Sequence, residues 1–155
     1  MRTPVKNTKK RPFNERSKAR RRALQGLYQW HMTGQSPGKI VQQFLEEQDF
    51  RRVDIPYFKR LMQETAKASP ELEKALAECT DRSVDSLDPM ERTVLRLGAF
   101  ELKLCLETPM RVVIDEAVEL AKLFGSDQTP GFVNAVLDKF AVNARQIEYQ
   151  AQSRD

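Results

Sequence analysis

The chain has 155 residues, of which 40% are hydrophobic and 31% charged, and its formal net charge is +4. This size and composition are typical of one globular domain with its own core, and no apolar run approaches the roughly 20 residues of a membrane span. No apolar stretch follows the basic N-terminus, which argues against a secretory signal and makes the cytosol the expected compartment.

The positive charge is concentrated at the N-terminus. Residues 1–22 contain ten Lys or Arg side chains and one acid, Glu15, a balance of +9. The rest of the chain contains sixteen basic and twenty-one acidic side chains, a balance of −5. A positive arm on a mildly acidic body indicates a nucleic acid, or another acidic surface, as the partner.

In chain order, residues 1–14 are predicted to be a disordered basic tail, because they are polar and carry two prolines. Apolar residues then recur every three or four positions, which predicts a first helix from about Glu15 to Met32 and six more after it. The apolar faces of those six contain Ile40–Leu45, Ile55–Thr65, Leu72–Cys79, Met90–Leu102, Val113–Phe124 and Phe132–Phe140. Residues 146–155 lose the pattern and are predicted to fray, so the folded domain is expected at 15–145.

Cap-plus-proline pairs mark the predicted helix starts. A Ser, Thr or Asp side chain accepts from free N–H groups of the first turn, where proline loses no hydrogen bond. The pairs are Ser36-Pro37, Ser69-Pro70, Asp88-Pro89, Thr108-Pro109 and Thr129-Pro130, with Asp54-Ile55-Pro56 as a weaker sixth start. Gly98 is predicted to allow a close helix approach. No segment shows strand-like alternation, so the fold class is all-α with about seven helices.

The sequence contains no recognisable catalytic constellation. Its glycines form neither a dinucleotide-binding nor a phosphate-binding loop, and a hydrolytic triad would depend on His31, the only histidine. Cys79 and Cys105 are predicted to be buried free thiols, and Asp115 and Glu119 to belong to a strip of surface ion pairs. We therefore predict a binding protein with no catalytic residue, no metal and no cofactor.

The candidate nucleic-acid site is the basic start of the first helix. Cations there oppose the helix dipole, so their clustering needs another explanation. Arg16, Arg20 and Arg21 fall on one side of a helix, where bidentate guanidinium groups could follow a phosphate chain. The alternative is a solvated face that only keeps the protein soluble.

Charge alone does not separate RNA from DNA. Aromatic side chains near basic positions (Tyr28, Trp30 and Phe132) would suit stacking on unpaired bases, which favours single-stranded RNA. For Tyr28 and Phe132 an ordinary place in the core is at least as good an interpretation of the pattern.

Six segments resemble the NusB family of bacterial transcription antitermination factors, in the family's order and over about Arg16 to Lys139. They are Ser17–Trp30 (SKARRRALQGLYQW), Phe44–Asp49 (FLEEQD), Val53–Phe58 (VDIPYF), Glu91–Leu102 (ERTVLRLGAFEL), Val113–Gly125 (VIDEAVELAKLFG) and Phe132–Lys139 (FVNAVLDK). The resemblance implies an all-helical fold of two packed helical subdomains.

The resemblance also implies a function. NusB proteins pair with NusE, a small-subunit ribosomal protein, and bind the boxA element of ribosomal RNA leaders, which holds RNA polymerase, with other Nus factors, in a termination-resistant state. By position, the RNA-binding candidates are Arg16, Lys18, Arg20, Arg21, Tyr28, Glu91, Arg92, Arg96 and Phe132. The segment Ser126 to Gly131 matches the loop near the NusE contact, and no membrane partner is implied.

Two other functions remain open at this point. One is a helical interaction scaffold that self-associates, for example as a homodimer, without recognising RNA directly. The other is the role of the NusB-like domain that is fused to ribosomal RNA cytosine methyltransferases, which the chain also resembles. Since no cofactor motif is present, the chain is not expected to be such an enzyme by itself.

Overall fold

The computed structural model describes residues 3–153, with side chains described for residues 15–152. Within that range the chain is helical and contains no strand, which confirms the all-α class. The helices are α1 (Thr3–Thr33), α2 (Pro37–Glu47), α3 (Ile55–Ala77), α4 (Pro89–Leu104), α5 (Met110–Phe124), α6 (Thr129–Ala144) and α7 (Gln146–Ser153). A 3₁₀ turn, Val84–Ser86, precedes α4.

The chain divides into two compact units, Met1–Ala66 and Lys67–Asp155. Two helical units are what the family resemblance implied. α1 begins at Thr3, twelve residues before the predicted start at Glu15. The side chains of residues 1–14 lie outside the described ones, so the predicted disorder of this tail stays a prediction. Of the helices in residues 3–153, none is long and apolar enough to cross a membrane.

Three of the predicted helix starts are confirmed by cap hydrogen bonds. Ser36 Oγ accepts from the Lys39 amide at 3.3 Å, and Asp88 Oδ2 accepts from the amides of Met90 at 3.0 Å and of Glu91 at 3.3 Å. The weaker predicted start at Asp54 is also confirmed, because Asp54 Oδ1 accepts from the Tyr57 amide at 3.0 Å and α3 begins at Ile55.

The Ser69-Pro70 start is wrong, because α3 continues through Pro70. A proline inside a helix costs roughly 3 kcal/mol, but buried side chains lie on both sides of it, including Leu61 before and Leu72 after. The burial of these side chains offsets part of that cost. The predicted third and fourth helices are therefore a single α3. The described residues still form seven α-helices, because they also include α7, which was not predicted.

The last two cap pairs are displaced by one position. α5 begins at Met110 with Pro109 in the cap position, and no side chain caps it. α6 begins at Thr129 itself, with Gln128 in the cap position. Thr129 therefore lies inside the helix, where its hydroxyl makes other contacts.

The first unit has an aliphatic and aromatic core from α1, α2 and the first half of α3. Leu24 and Leu27 of α1 are buried together with residues of the other two helices. The rings of Phe44 and Phe58 lie parallel, with their centroids 6.4 Å apart. This ring contact joins α2 to the first half of α3.

The second unit is built around α4, of which every residue from Thr93 to Leu102 is buried. α5 and α6 pack on α4 and on each other. A Cβ at Gly98 would lie 2.6 Å from Leu137 Cδ1, which confirms that Gly98 allows a close approach between α4 and α6.

The C-terminal segment is more ordered than the sequence pattern indicated. The buried Arg145 guanidinium donates to the carbonyl oxygens of Glu101 at 3.1 Å and Cys105 at 3.0 Å, and also to that of Leu102. It further donates to Glu148 of α7 at 2.7 Å. These bonds satisfy carbonyl groups at the end of α4 and fix the start of α7.

Candidate nucleic-acid interface

The basic stretch of α1, Arg16–Arg22, presents different cations to different surroundings. The Arg16 guanidinium lies 4.1 Å from the Tyr57 ring centroid, and its Nε is 3.3 Å from Asp54 Oδ2. Arg20, one turn later, lies 5.5 Å from the same ring and is only 1% exposed. Both arginines are thus held against the start of α3 by cation–π contact and charge.

This arrangement differs from the expected single arginine face. Arg16 and Arg20 are four residues apart and share the side of α1 that packs on Tyr57, whereas Arg21 is exposed to solvent. The sequence spacing placed all three arginines on one side of the helix. It did not show that Tyr57 covers the part of that side where Arg16 and Arg20 lie. Contact of Arg16 and Arg20 with RNA stays a prediction, and the structure gives both a positioning role inside the first unit.

Lys18 and Arg21 are the cations of this stretch whose side chains make no hydrogen bond, ion pair or ring contact within residues 15–152. Arg21 is exposed and Lys18 is partly exposed, and they are three residues apart, which makes them neighbours on the helix surface. Arg22 is partly covered, since its Nη2 donates to the Asp49 carbonyl at 3.0 Å. Tyr28, further along α1, is half-buried.

In the second unit, Arg92 and Arg96 share one carboxylate. Arg92 donates from Nε and Nη2 to the two oxygens of Glu73 at 2.7 and 2.8 Å, and Arg96 Nε donates to Oε2 at 2.5 Å. The Arg96 side chain is 7% exposed and that of Arg92 is 17% exposed. Arg92 Nη2 also contacts Asp85 at 3.1 Å.

The pKa of Glu73 is shifted by this environment. Burial alone raises the pKa of the carboxyl group, but hydrogen bonds and positive charge from Arg92 and Arg96 outweigh it, so the pKa lies below its ordinary value. Both arginines, which the family resemblance placed on the RNA surface, thus have a structural partner. Their contact with RNA stays a prediction.

A second cluster surrounds Glu91, which is 7% exposed. Its Oε2 accepts from the Thr129 hydroxyl at 3.2 Å, and its Oε1 is 3.4 Å from Arg82 Nη2. Thr129 Oγ1 also accepts from the Ser126 amide at 3.1 Å. The loop before α6 is therefore tied to the first turn of α4, on the segment Ser126–Gly131 that matched the NusE-contacting loop.

Arg82 also lies over Phe132, with its guanidinium carbon 4.6 Å from the ring centroid. It therefore joins two of the sequence-predicted residues, Glu91 and Phe132, and covers part of the half-buried ring. Arg82 was not among the sequence-predicted residues, because Phe132 is 50 residues away and no local motif marks it.

No metal or thiol chemistry is indicated by the described part of the chain. Residues 15–152 contain no group of three His, Cys, Asp or Glu side chains suited to a metal ion. Cys105 is buried as predicted, whereas Cys79 is only half-buried, and burial raises the pKa of its thiol. Lys122 Nζ lies 3.3 Å from Glu119 Oε2, which confirms that part of the surface ion-pair strip.

Comparison with known proteins gives a consistent result. The model of the NusB family matches residues 17–142. A transcription antitermination protein NusB from Pseudomonas savastanoi is 45% identical over 140 residues, which is 90% of this chain and 85% of that protein. Another with the same name, from Nitrosococcus oceani, is 44% identical over 140 residues, which is 90% of this chain and 94% of that protein.

Solved structures agree with the sequence relatives. The structure of T. maritima NusB matches with a TM-score of 0.76 and 25% identity, covering 86% of this chain and 96% of that one. A chain in a crystal structure of antitermination factors NusB and NusE in complex with double-stranded RNA matches with a TM-score of 0.71 and 28% identity. That match covers 81% of this chain and 94% of the other.

Proposed function

The chain belongs to the NusB family, and from this we propose that it is an RNA-binding transcription antitermination factor that acts together with NusE. We propose boxA RNA of ribosomal RNA leader transcripts as the ligand and termination-resistant RNA polymerase as the outcome, with other Nus factors taking part. The role is binding rather than catalysis, and the place of action is the cytoplasm, where transcripts of this kind are made.

The observation that carries the proposal is the family match, which spans both helical units. The names of the relatives support antitermination. The solved complex of NusB with NusE and RNA supports the two partners. Because that complex holds double-stranded RNA, our preference for single-stranded RNA rests on the residues alone and has to be tested.

Within the first unit, we assign direct phosphate contact to Lys18 and Arg21, because they are at least partly exposed and make no side-chain contact within residues 15–152. Salt-dependent attraction to phosphates supplies most of the affinity of such surfaces. Arg16 and Arg20 support the site by holding α1 against Tyr57.

Within the second unit, we assign an RNA contact to Phe132 and a supporting role to the side chains around it. The Phe132 ring is half-buried and covered on one side by Arg82. Unpaired bases stack on aromatic rings and on guanidinium planes. A base stacking on this pair would give single-stranded RNA an advantage over a duplex.

The test is a titration of fluorescently labelled boxA-like RNA, single-stranded and duplex, with this protein, with NusE and with an equimolar mixture. We expect the mixture to bind single-stranded RNA more tightly than either protein alone. Equal binding by NusE alone and by the mixture would refute the proposal. If sedimentation without RNA shows a stable dimer that does not bind RNA, the scaffold function replaces it.

A double variant locates the site. Lys18→Ala with Arg21→Ala is expected to weaken RNA binding about tenfold, since two phosphate contacts are lost. The matched control is Lys59→Ala with Lys67→Ala, which removes the same charge from exposed positions on α3. Equal losses in the two double variants would contradict the assignment to α1.

A further inference from the structure

The loop between α2 and α3, residues 48–54, is held against the basic stretch of α1. The Asp54 amide donates to the Glu15 carbonyl at 3.2 Å. Arg22 Nη2 donates to the Asp49 carbonyl at 3.0 Å, and Arg16 Nε lies 3.3 Å from the Asp54 carboxylate. Both ends of the loop are therefore fixed to α1, so its middle residues lie beside that helix.

The middle of this loop carries two exposed arginines, Arg51 and Arg52. Arg51 is neutralised locally, since its Nη2 lies 2.8 Å from Asp49 Oδ2. Within residues 15–152, the Arg52 guanidinium has no hydrogen bond, ion pair or ring contact. Because Arg52 is two residues from Asp54, their Cα atoms are at most about 7 Å apart. Among the described residues, Arg52 is thus an unpaired positive charge two positions from Asp54, which contacts the basic stretch.

The backbone of Arg52 is unusual. Its φ is 60°, and it is the one non-glycine residue with positive φ among those described. The left-handed region is strained for a side chain of this kind, whereas Gly, Asn or Asp adopts it more easily. Strained positions are found preferentially at functional sites. Here the strain accompanies a free charge on an otherwise tethered loop.

The geometry of α1 places the accessible cations next to this loop. Glu15, Lys18 and Arg22 are spaced by three and four residues and lie along one side of the helix. The Glu15 carbonyl and the Arg22 side chain both contact the loop, and Lys18 lies between these two positions along α1. Arg21 is three residues beyond Lys18. The cations of α1 and Arg52 of the loop therefore belong to neighbouring parts of the first unit, which is the arrangement that one phosphate chain would need to meet both.

We propose that the loop of residues 48–54 is a second RNA-contacting element of the first unit, in which Arg52 binds a backbone phosphate next to those bound by Lys18 and Arg21. Arginine suits this role because its planar guanidinium can donate two parallel hydrogen bonds to one phosphate. The proposal rests on the proposed function and adds a separate element to it.

The test is the variant Arg52→Asn in the full chain, measured with NusE and boxA-like RNA at several salt concentrations. Asparagine tolerates the left-handed backbone, so the fold and the melting temperature should be retained. We expect RNA affinity to fall about three- to tenfold and the log–log salt slope to become shallower by about 0.7, the share of one phosphate contact to a single strand. Arg52→Lys should retain most of the slope.

The matched control is Lys39→Asn, which removes one exposed positive charge from the first turn of α2 and should leave binding unchanged. If Arg52→Asn binds as wild type while the double variant of Lys18 and Arg21 does not, the loop assignment is overturned and the proposed function stands. If the wild type with NusE does not bind RNA, the proposed function itself fails. If Arg52→Asn weakens the affinity for NusE in the absence of RNA, the loop contacts the protein partner and the RNA assignment is overturned.

Discussion

Replacing Glu73 by glutamine should separate a structural role of Arg92 and Arg96 from a direct role in RNA binding. The Glu73 carboxylate is bonded by both arginines, and its side chain is 18% exposed, against 7% for Arg96. Removing one partner of a buried ion pair costs about 3–5 kcal/mol. Since some water reaches Glu73, we expect the low end, about 3 kcal/mol.

The pH dependence follows from the lowered pKa of Glu73. A carboxyl group whose pKa is lower in the folded than in the unfolded state stabilises the fold above the unfolded value, about 4.3 for glutamate. That stabilisation is lost as the pH falls through the lowered value. The difference in unfolding free energy between wild type and Glu73→Gln should therefore be constant at neutral pH and shrink below about pH 4.

The measurement is urea denaturation of wild type and variant, followed by circular dichroism between pH 3 and pH 7. The control is Glu119→Gln, whose pair with Lys122 is exposed and should be worth less than about 1 kcal/mol. If Glu73→Gln is as stable as Glu119→Gln while its RNA affinity falls, the structural role is refuted. Arg92 and Arg96 then act directly in RNA binding.

Three further substitutions test the second unit. Arg145→Met should cost about 3–5 kcal/mol in urea denaturation, because three carbonyl groups lose a buried charged donor, and a loss below about 1 kcal/mol would contradict that role. Gly98→Leu should destabilise by about 1–3 kcal/mol, because even a Cβ meets Leu137, and an unchanged melting temperature would contradict the close approach. Thr129→Val removes a hydroxyl that bonds a buried carboxylate and the Ser126 amide, so that amide should exchange its hydrogen faster, as measured by NMR. Unchanged exchange would show that the loop is held by other contacts.

Local signals in the sequence predicted much of the fold. Ser36 and Asp88 mark helix starts because a cap hydrogen bond spans only two or three residues. Ser69-Pro70 carries the same local signal, yet α3 continues through it, with side chains buried on both sides of the proline. α7 was missed because its order depends on Arg145 and on Glu148, which accepts from the amide of Met110 at 2.8 Å.

The candidate site, like the fold, was only partly predictable from local signals in the sequence. The charge count and the family motifs predicted the basic stretch of α1, but they did not show that Arg20 is buried on Tyr57. The shared carboxylate of Glu73 was not visible either, since it lies 19 and 23 residues from its two arginines. Arg82 and Arg52 were overlooked for the same reason, because their surroundings are set by tertiary packing.

The salt dependence of RNA binding tests the central claim most directly. The protein with NusE should bind boxA-like RNA with a log–log slope of about −2 to −4 against salt concentration, as expected for roughly three to five phosphate contacts. In the double variant Lys18→Ala and Arg21→Ala, the slope should become shallower by about 1.4. A flat slope for the wild type, or a slope that the double variant leaves unchanged, would contradict an RNA-binding role for the basic stretch of α1.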